Sequence, residues 1–296
     1  MWKWMAFLTA AALSVCCAAF AEDVIPELNG AQTLIMGEFY DIDLDGDGTL
    51  ESVWTRIEGF DEEAVLELCV DTGNGFFNYE TTILYEDGVY VADIDGDGSL
   101  EILMSGDEIS ADYFTWCLKY DPENGLTPVP FADANRGENT DGYFNCGYGR
   151  IIAIEGNTLT LLGTQDALGT WWCTREFTLR DGQFELDDDG IWHVVVDTED
   201  SDVWEYHSLT LIRDLQVTLE DGSAAALSEG ERFLITETNK KSFVGFQTQS
   251  GVRGTIPVEL DEENGWGFRI KQQRLRFHPI SRRRCLSVKL ILSAAS

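Results

Sequence analysis

Two stretches of this chain are almost the same nine residues. Asp43-Leu44-Asp45-Gly46-Asp47-Gly48-Thr49-Leu50-Glu51 returns as Asp93-Ile94-Asp95-Gly96-Asp97-Gly98-Ser99-Leu100-Glu101, at an offset of 50 residues. A repeat of that period marks arrays of small supersecondary units that bury their apolar faces against one another. Each copy leads into a short apolar run, Val53-Trp54 in the first and Ile102-Leu103-Met104 in the second, and Val89-Tyr90-Val91 precedes the second. Strands joined through an acidic loop are therefore expected.

Aspartates at positions one, three and five put three carboxylates on one side of a tight turn, and Gly48 and Gly98 permit the bend. Such a site suits a hard cation with oxygen ligands, calcium above all. Asp43, Asp45 and Asp47 would give side-chain oxygens, Thr49 its backbone carbonyl and Glu51 the closing carboxylate; Asp93, Asp95, Asp97, Ser99 and Glu101 repeat those roles. Without a cation, carboxylates crowded to about 4 Å repel by about 1 kcal/mol per pair even in water-like surroundings. The expectation is two calcium ions bound on the order of 0.1 to 1 mM. The alternative is a solvated acidic hairpin tip without metal.

An EF-hand or dockerin loop would need an acid at position twelve and helical flanks. Position twelve is Trp54 in one copy and Met104 in the other. With an acid at position nine and strands on either side, both copies instead resemble the FG-GAP or VCBS repeats, which carry Asp-x-Asp-Gly-Asp-Gly, then an acid and a short apolar strand. The resemblance covers residues 31 to 130 and implies a calcium-loaded β-propeller, without naming an activity. A seven-bladed ring would need about 350 residues, whereas 22–205 offers 184. A reduced propeller of about four blades, or a propeller-like array that does not close, is expected over 22–205.

Further along, Ile151-Ile152-Ala153-Ile154, Leu159-Thr160-Leu161-Leu162 and Glu176-Phe177-Thr178-Leu179 are separated by Gly156-Asn157 and followed by Asp181-Gly182. Such short runs with turn residues between them read as antiparallel hairpins. No sustained 3.6-residue apolar period occurs, so helix should be sparse. Asp187-Asp188-Asp189-Gly190 is a solvated turn or a decayed third loop. A second unit is expected over 206–270, with strands at Leu215–Leu219, Phe233–Thr236, Phe243–Thr248 and Gly254–Val258. Several short strands in about 60 residues predict a small β-barrel. Its Thr248-Gln249-Ser250-Gly251-Val252-Arg253-Gly254 hairpin resembles that of bacterial Src-homology-3-like domains. The fold class is thus all-β.

Residues 1–21 have the form of a secretory signal peptide, with Lys3 ahead of an apolar run from Met5 to Phe20 and Ala19-Phe20-Ala21 at the cleavage point. A retained anchor would be short for roughly 30 Å of hydrocarbon. Leu13-Ser14-Val15-Cys16 only approximates a lipobox, because Val15 stands where a small residue belongs. A secreted or cell-surface protein with no transmembrane segment after cleavage is expected. In such a compartment Cys69, Cys117, Cys146 and Cys173 can form two disulfides in three possible pairings, or remain buried thiols.

The 53 acids against 20 bases exclude a nucleic-acid partner, since phosphate contacts need clustered Lys and Arg. All the acids fall within 22–268, against 11 bases, whereas 269–296 holds eight bases and no acid. The 271–296 tail is either a basic arm or the product of a shifted reading frame, and in both cases poor order is expected. Of the histidines, His193, His207 and His278, none stands in a metalloprotease or nucleophile motif. A binding or surface-interaction module for a glycan, a cell-wall polymer or a protein partner is the preferred reading. The alternative is a secreted carbohydrate-active hydrolase with a carboxylate pair converging beside Trp171 or Trp172, one of which a strand would present away from the core.

Overall fold

The offset of 50 residues extends beyond the acidic loops to whole sheets. The computed structural model describes residues 27–59, 65–81, 85–107, 112–132, 146–186, 190–260 and 268–270. The expected leader, Asp187-Asp188-Asp189, His278 and the basic tail lie outside them. After β1 (Glu27–Leu28) and β2 (Gln32–Leu34), the first acidic loop joins β3 (Tyr40–Ile42) to β4 (Glu51–Glu58), and β5 (Val65–Asp71) and β6 (Phe76–Glu80) complete an antiparallel meander. The second loop likewise joins β7 (Tyr85–Ala92) to β8 (Glu101–Asp107), followed by β9 (Tyr113–Asp121) and β10 (Gly125–Pro128). β2 adds to β7, and β11 (Cys146–Tyr148) to β9. Even the third turns correspond: Asp71 accepts from Gly73 N–H and Asp121 from Glu123 N–H, each at 2.8 Å. Aspartate caps such turns by bonding its own backbone two residues on.

A third run of neighbouring strands comprises β12 (Arg150–Glu155), β13 (Thr158–Gln165), β14 (Trp171–Arg180) and β15 (Gln183–Leu186), with β1 parallel to β12. The hairpins expected at 151–162 and 176–186 are among them. Alternation along the second sheet decides how these layers pack. Val89, Val91, Ile102, Met104, Trp116 and Leu118 share a core with Val53, Leu66, Leu68 and Val70 of the first sheet. Tyr90, Ala92, Leu103 and Cys117, on the opposite face, join Ile151, Leu161, Phe177 and Phe184. A sheet covered on both faces has nearly continuous apolar strands, and β8 is buried from Glu101 to Gly106. Each large apolar side chain removed from water in this way contributes about 1.5–3 kcal/mol.

These layers belong to a compact unit of 1–163 with 175–190; a second unit takes 164–174 and 191–296. In the second unit lie β16 (Trp192–Val194), α1 (Ser201–Tyr206), β17 (Leu209–Thr210), β18 (Leu215–Leu219), β19 (Ala224–Leu227), β20 (Arg232–Thr238), β21 (Phe243–Thr248), β22 (Arg253–Leu260) and β23 (Phe268–Ile270). Asp200 caps α1 by accepting from Asp202 N–H, and this is the one helix among the described residues. The strands run β16-β20-β21-β22-β18-β19 around a core of Val217, Phe233, Ile235, Val244, Phe246 and Ile256.

The small barrel expected here does not close, and no sheet among the described residues is a barrel. β20 gives one edge to β21 and the other to β16 and β17, so no edge is left for closure. The protein is all-β, built of several open, mainly antiparallel sheets. Cys69, Cys117, Cys146 and Cys173 are all buried free thiols, and burial pushes Cys69 up to about 11. Among the described residues no helix is long and apolar enough to cross a membrane.

Candidate metal centre

Each acidic loop is held by its own carboxylates in the same way. Asp43 Oδ2 accepts from Gly48 N–H at 3.0 Å, Asp45 Oδ1 from Asp47 N–H at 3.2 Å, and Asp47 Oδ1 from Thr49 N–H at 2.6 Å. The second copy repeats this with Asp93 and Gly98 at 3.2 Å, Asp95 and Asp97 at 3.1 Å, and Asp97 and Ser99 at 2.8 Å, and adds a bond from Gly96 N–H to Asp93 Oδ1 at 2.7 Å. Ser99 also donates its hydroxyl to Asp97. At the closing position, Glu51 Oε2 accepts from Leu44 N–H and Glu101 Oε2 from Ile94 N–H, both at 2.9 Å. Gly48 and Gly98 have φ of +89° and +92°, a left-handed backbone that glycine adopts without a Cβ clash.

The structure brings Asp43, Asp45 and Asp47 together in the first loop, and Asp93, Asp95 and Glu101 in the second, with ligand oxygens within 4.8 Å of one another in each group. Asp97 turns instead to Ser99 and to a lysine. Thr49 and Ser99 are tied to the loop through their N–H groups. Glu51 and Glu101 are almost fully buried, at 3% and 0% exposure. Burial pushes both carboxyls above their ordinary value, and facing aspartates push the same way: Asp45, Asp47 and Asp43 on Glu51, Asp95 on Glu101. Asp43 Oδ1 is buried without a hydrogen-bond partner. An all-oxygen donor set with an orphaned carboxylate oxygen fits a hard cation.

The loops also touch. Leu100 N–H donates to Leu44 O at 2.8 Å, and a Cβ on Gly46 would stand 2.8 Å from Gly98 O.

Lys119 is the residue at these loops that sequence reasoning missed. Its Nζ lies 3.2 Å from Asp95 Oδ2, 2.7 Å from Asp97 Oδ2 and 3.2 Å from Glu101 Oε1. Burial alone would lower its pKa, but Asp97, Asp95 and Glu101 outweigh it and raise the ammonium well above the ordinary lysine range. That contact holds Asp97 well below the usual carboxylate range, aided by Ser99. Lys119 is the only lysine between residues 4 and 239, and that isolation is a signal available from sequence. The next residue on β9, Tyr120, has its hydroxyl raised by burial and by the charges of Glu51, Asp45, Asp121 and Asp47. Successive strand residues point to opposite faces, which is how one strand serves both loops.

No protein-family model matches this chain, and neither a curated protein nor a solved structure matches it.

Elsewhere, Trp171 and Trp172 begin β14 and are both half-buried. Trp171 packs on the core of the second unit. A groove of about 560 Å³ in that unit is lined in part by His193, Glu220, Glu237 and Arg253. Neither tryptophan lines it, and His193 Nδ1 stands 3.9 Å from Glu237 Oε2. His207 is lowered by burial. Tyr148 meets Phe114 edge to face, with ring centroids 5.4 Å apart.

Proposed function

We propose that this chain is an exported, calcium-binding β-protein of the FG-GAP or VCBS kind that serves as a binding or surface-interaction module. The observation that carries the reading is the paired set of all-oxygen loops, each with three carboxylates converging within 4.8 Å. Asp43, Asp45, Asp47, Thr49 and Glu51 would hold one ion, and Asp93, Asp95, Asp97, Ser99 and Glu101 the other. Calcium supplies positive charge that offsets carboxylate crowding and fixes the turn. Three successive runs of four neighbouring strands, two of them sharing the 50-residue offset, support a reduced, propeller-like array. β18 to β22 with the 248–254 hairpin fit an opened-out Src-homology-3-like unit.

The leader-like 1–21 supports export. A partner surface is supported by a row of rings at the first sheet, where the exposed Phe39 and Phe76 flank the half-buried Trp54 at centroid distances of 4.8 and 5.8 Å. Phe39 is 68% and Phe76 53% exposed, and contiguous exposed rings mark binding faces. Such rings suit a glycan or cell-wall polymer, or an apolar protein face. Calorimetry with calcium tests the metal, and uptake unchanged in Asp45→Ala plus Asp95→Ala would remove the loops from the reading. A glycan and cell-wall binding screen, with and without calcium and with Trp54→Ala, tests the surface.

A further inference from the structure

We propose that the ammonium group of Lys119 occupies the cation position of the second loop. The two loops are then unequal sites: the first is open to a divalent ion, and the second takes one only by displacing an internal cation. This rests on the reading that the loops take calcium.

The ammonium is placed by the sheet and not by chance contact of a free side chain. Strand register sets Lys119 directly opposite Glu101 across β8 and β9, and the side chain reaches Asp95 and Asp97 from there. Glu101 is fully buried, and its Oε1 faces the ammonium at 3.2 Å. Three of the five residues expected to ligate the second ion are therefore already paired with one positive charge. An ammonium has three donors and no preferred coordination shell, so it answers three carboxylates without organising a full oxygen cage.

In the first loop the same construction lacks the cation. Among the described residues no Lys or Arg pairs with Asp43, Asp45, Asp47 or Glu51. The β4 and β5 ladder sets Asp71 opposite Ser52, and the residue 50 positions before Lys119 is Cys69, opposite Trp54. Asp43 Oδ1 remains buried without a partner, whereas its counterpart Asp93 Oδ1 accepts from Gly96 N–H at 2.7 Å. Entry of a divalent ion into the second loop must break three ion pairs and leave an ammonium beside a double positive charge. Both effects weaken that site relative to the first, by at least about tenfold.

The full chain titrated with calcium by calorimetry should give two events at least about tenfold apart in affinity. Asp45→Asn should remove the tighter event, and Asp95→Asn should act on the weaker. Lys119→Met keeps the apolar stem, removes the charge, and should tighten the weaker event by about tenfold or more. The two aspartate variants assign the events even if the lysine variant fails to fold. Equal affinities in the unsubstituted chain, loss of the tighter event in Asp95→Asn, or a weaker event unmoved by Lys119→Met each overturn the inference while the calcium reading stands. Absence of calcium uptake by both the unsubstituted chain and Lys119→Met overturns the calcium reading and the inference with it.

Discussion

The two acidic loops differ at only two of nine positions, Leu44 against Ile94 and Thr49 against Ser99, and fold into closely similar turns, the second with one more hydrogen bond from a backbone N–H. Their surroundings nevertheless differ in charge. Among the described residues no Lys or Arg pairs with the first set, which lies beside a tyrosine; the second closes on an ammonium. Local sequence specifies the backbone of such a loop, because its aspartates and glycines satisfy one another within a few residues. Its electrostatics are specified by whichever strand the sheet brings alongside.

The largest expected effect tests whether the loops act as metal sites at all. Saturating one site to about 100 times its Kd stabilises the folded state by about 2.7 kcal/mol. For a chain of this size that raises Tm by about 5–10 °C. Asp45→Ala plus Asp95→Ala should abolish the rise in a thermal melt, and a rise that survives the double change would break the comparison at its root.

A smaller effect separates the loops without any metal. In calcium-free buffer Lys119→Met should destabilise the protein by about 1–2 kcal/mol, allowing for the partial exposure of the ammonium, because three carboxylates lose their counter-charge. Among the described residues no Lys or Arg pairs with the first loop, so Glu51→Gln should be neutral or stabilising there, keeping an acceptor for Leu44 N–H while removing a crowded charge. Chemical denaturation at neutral pH checks both signs.

Gly46 and Gly96 form a matched pair. Both have left-handed backbone, with φ of +74° and +75°, but a Cβ meets Gly98 O at 2.8 Å in the first and open space in the second. Gly96→Ala should cost about 1 kcal/mol of backbone strain, and Gly46→Ala at least about 1 kcal/mol more. Equal losses would mean that the loops do not lean on each other.

The smallest effect is on titration. Asp97 carries a lowered pKa, caused first by Lys119, whereas its counterpart Asp47 is lowered by Thr49 alone. Carboxyl-carbon NMR on calcium-free protein should therefore find Asp97 below Asp47, and Lys119→Met should bring the two together. The linkage has a definite sign. A lowered carboxylate contributes stability that is present above 3.8 and lost as pH falls through its folded value. Glu51 and Glu101, raised by burial, run the other way: their penalty is complete above the raised values and fades as pH falls toward 4.5.

Much of the strand content was legible because the relevant signals are local. Leu215–Leu219 and Phe243–Thr248 are strands over the very spans their composition predicts, and the glycine-marked hairpins at 156–157 and 181–182 form as read. The barrel was not legible, since closure depends on which distant strand claims the outer edge of β20. β19 escaped notice because Ala224-Ala225-Ala226 has little strand propensity of its own. In the metal centre the carboxylates announce themselves by spacing. Lys119 does not, being 18 residues from Glu101 in sequence and adjacent only through the β8 and β9 register.

The scarcity of lysine around that ammonium gives it a further use as a chemical reporter. Across residues 4–239 an amine-acylating reagent has a single side-chain target. An ammonium clasped by three carboxylates acylates slowly, because the reagent attacks the free amine, and one expelled into water reacts at the ordinary rate. The mass shift of one peptide, followed over time at different calcium concentrations, therefore counts how often the second loop has let its lysine go.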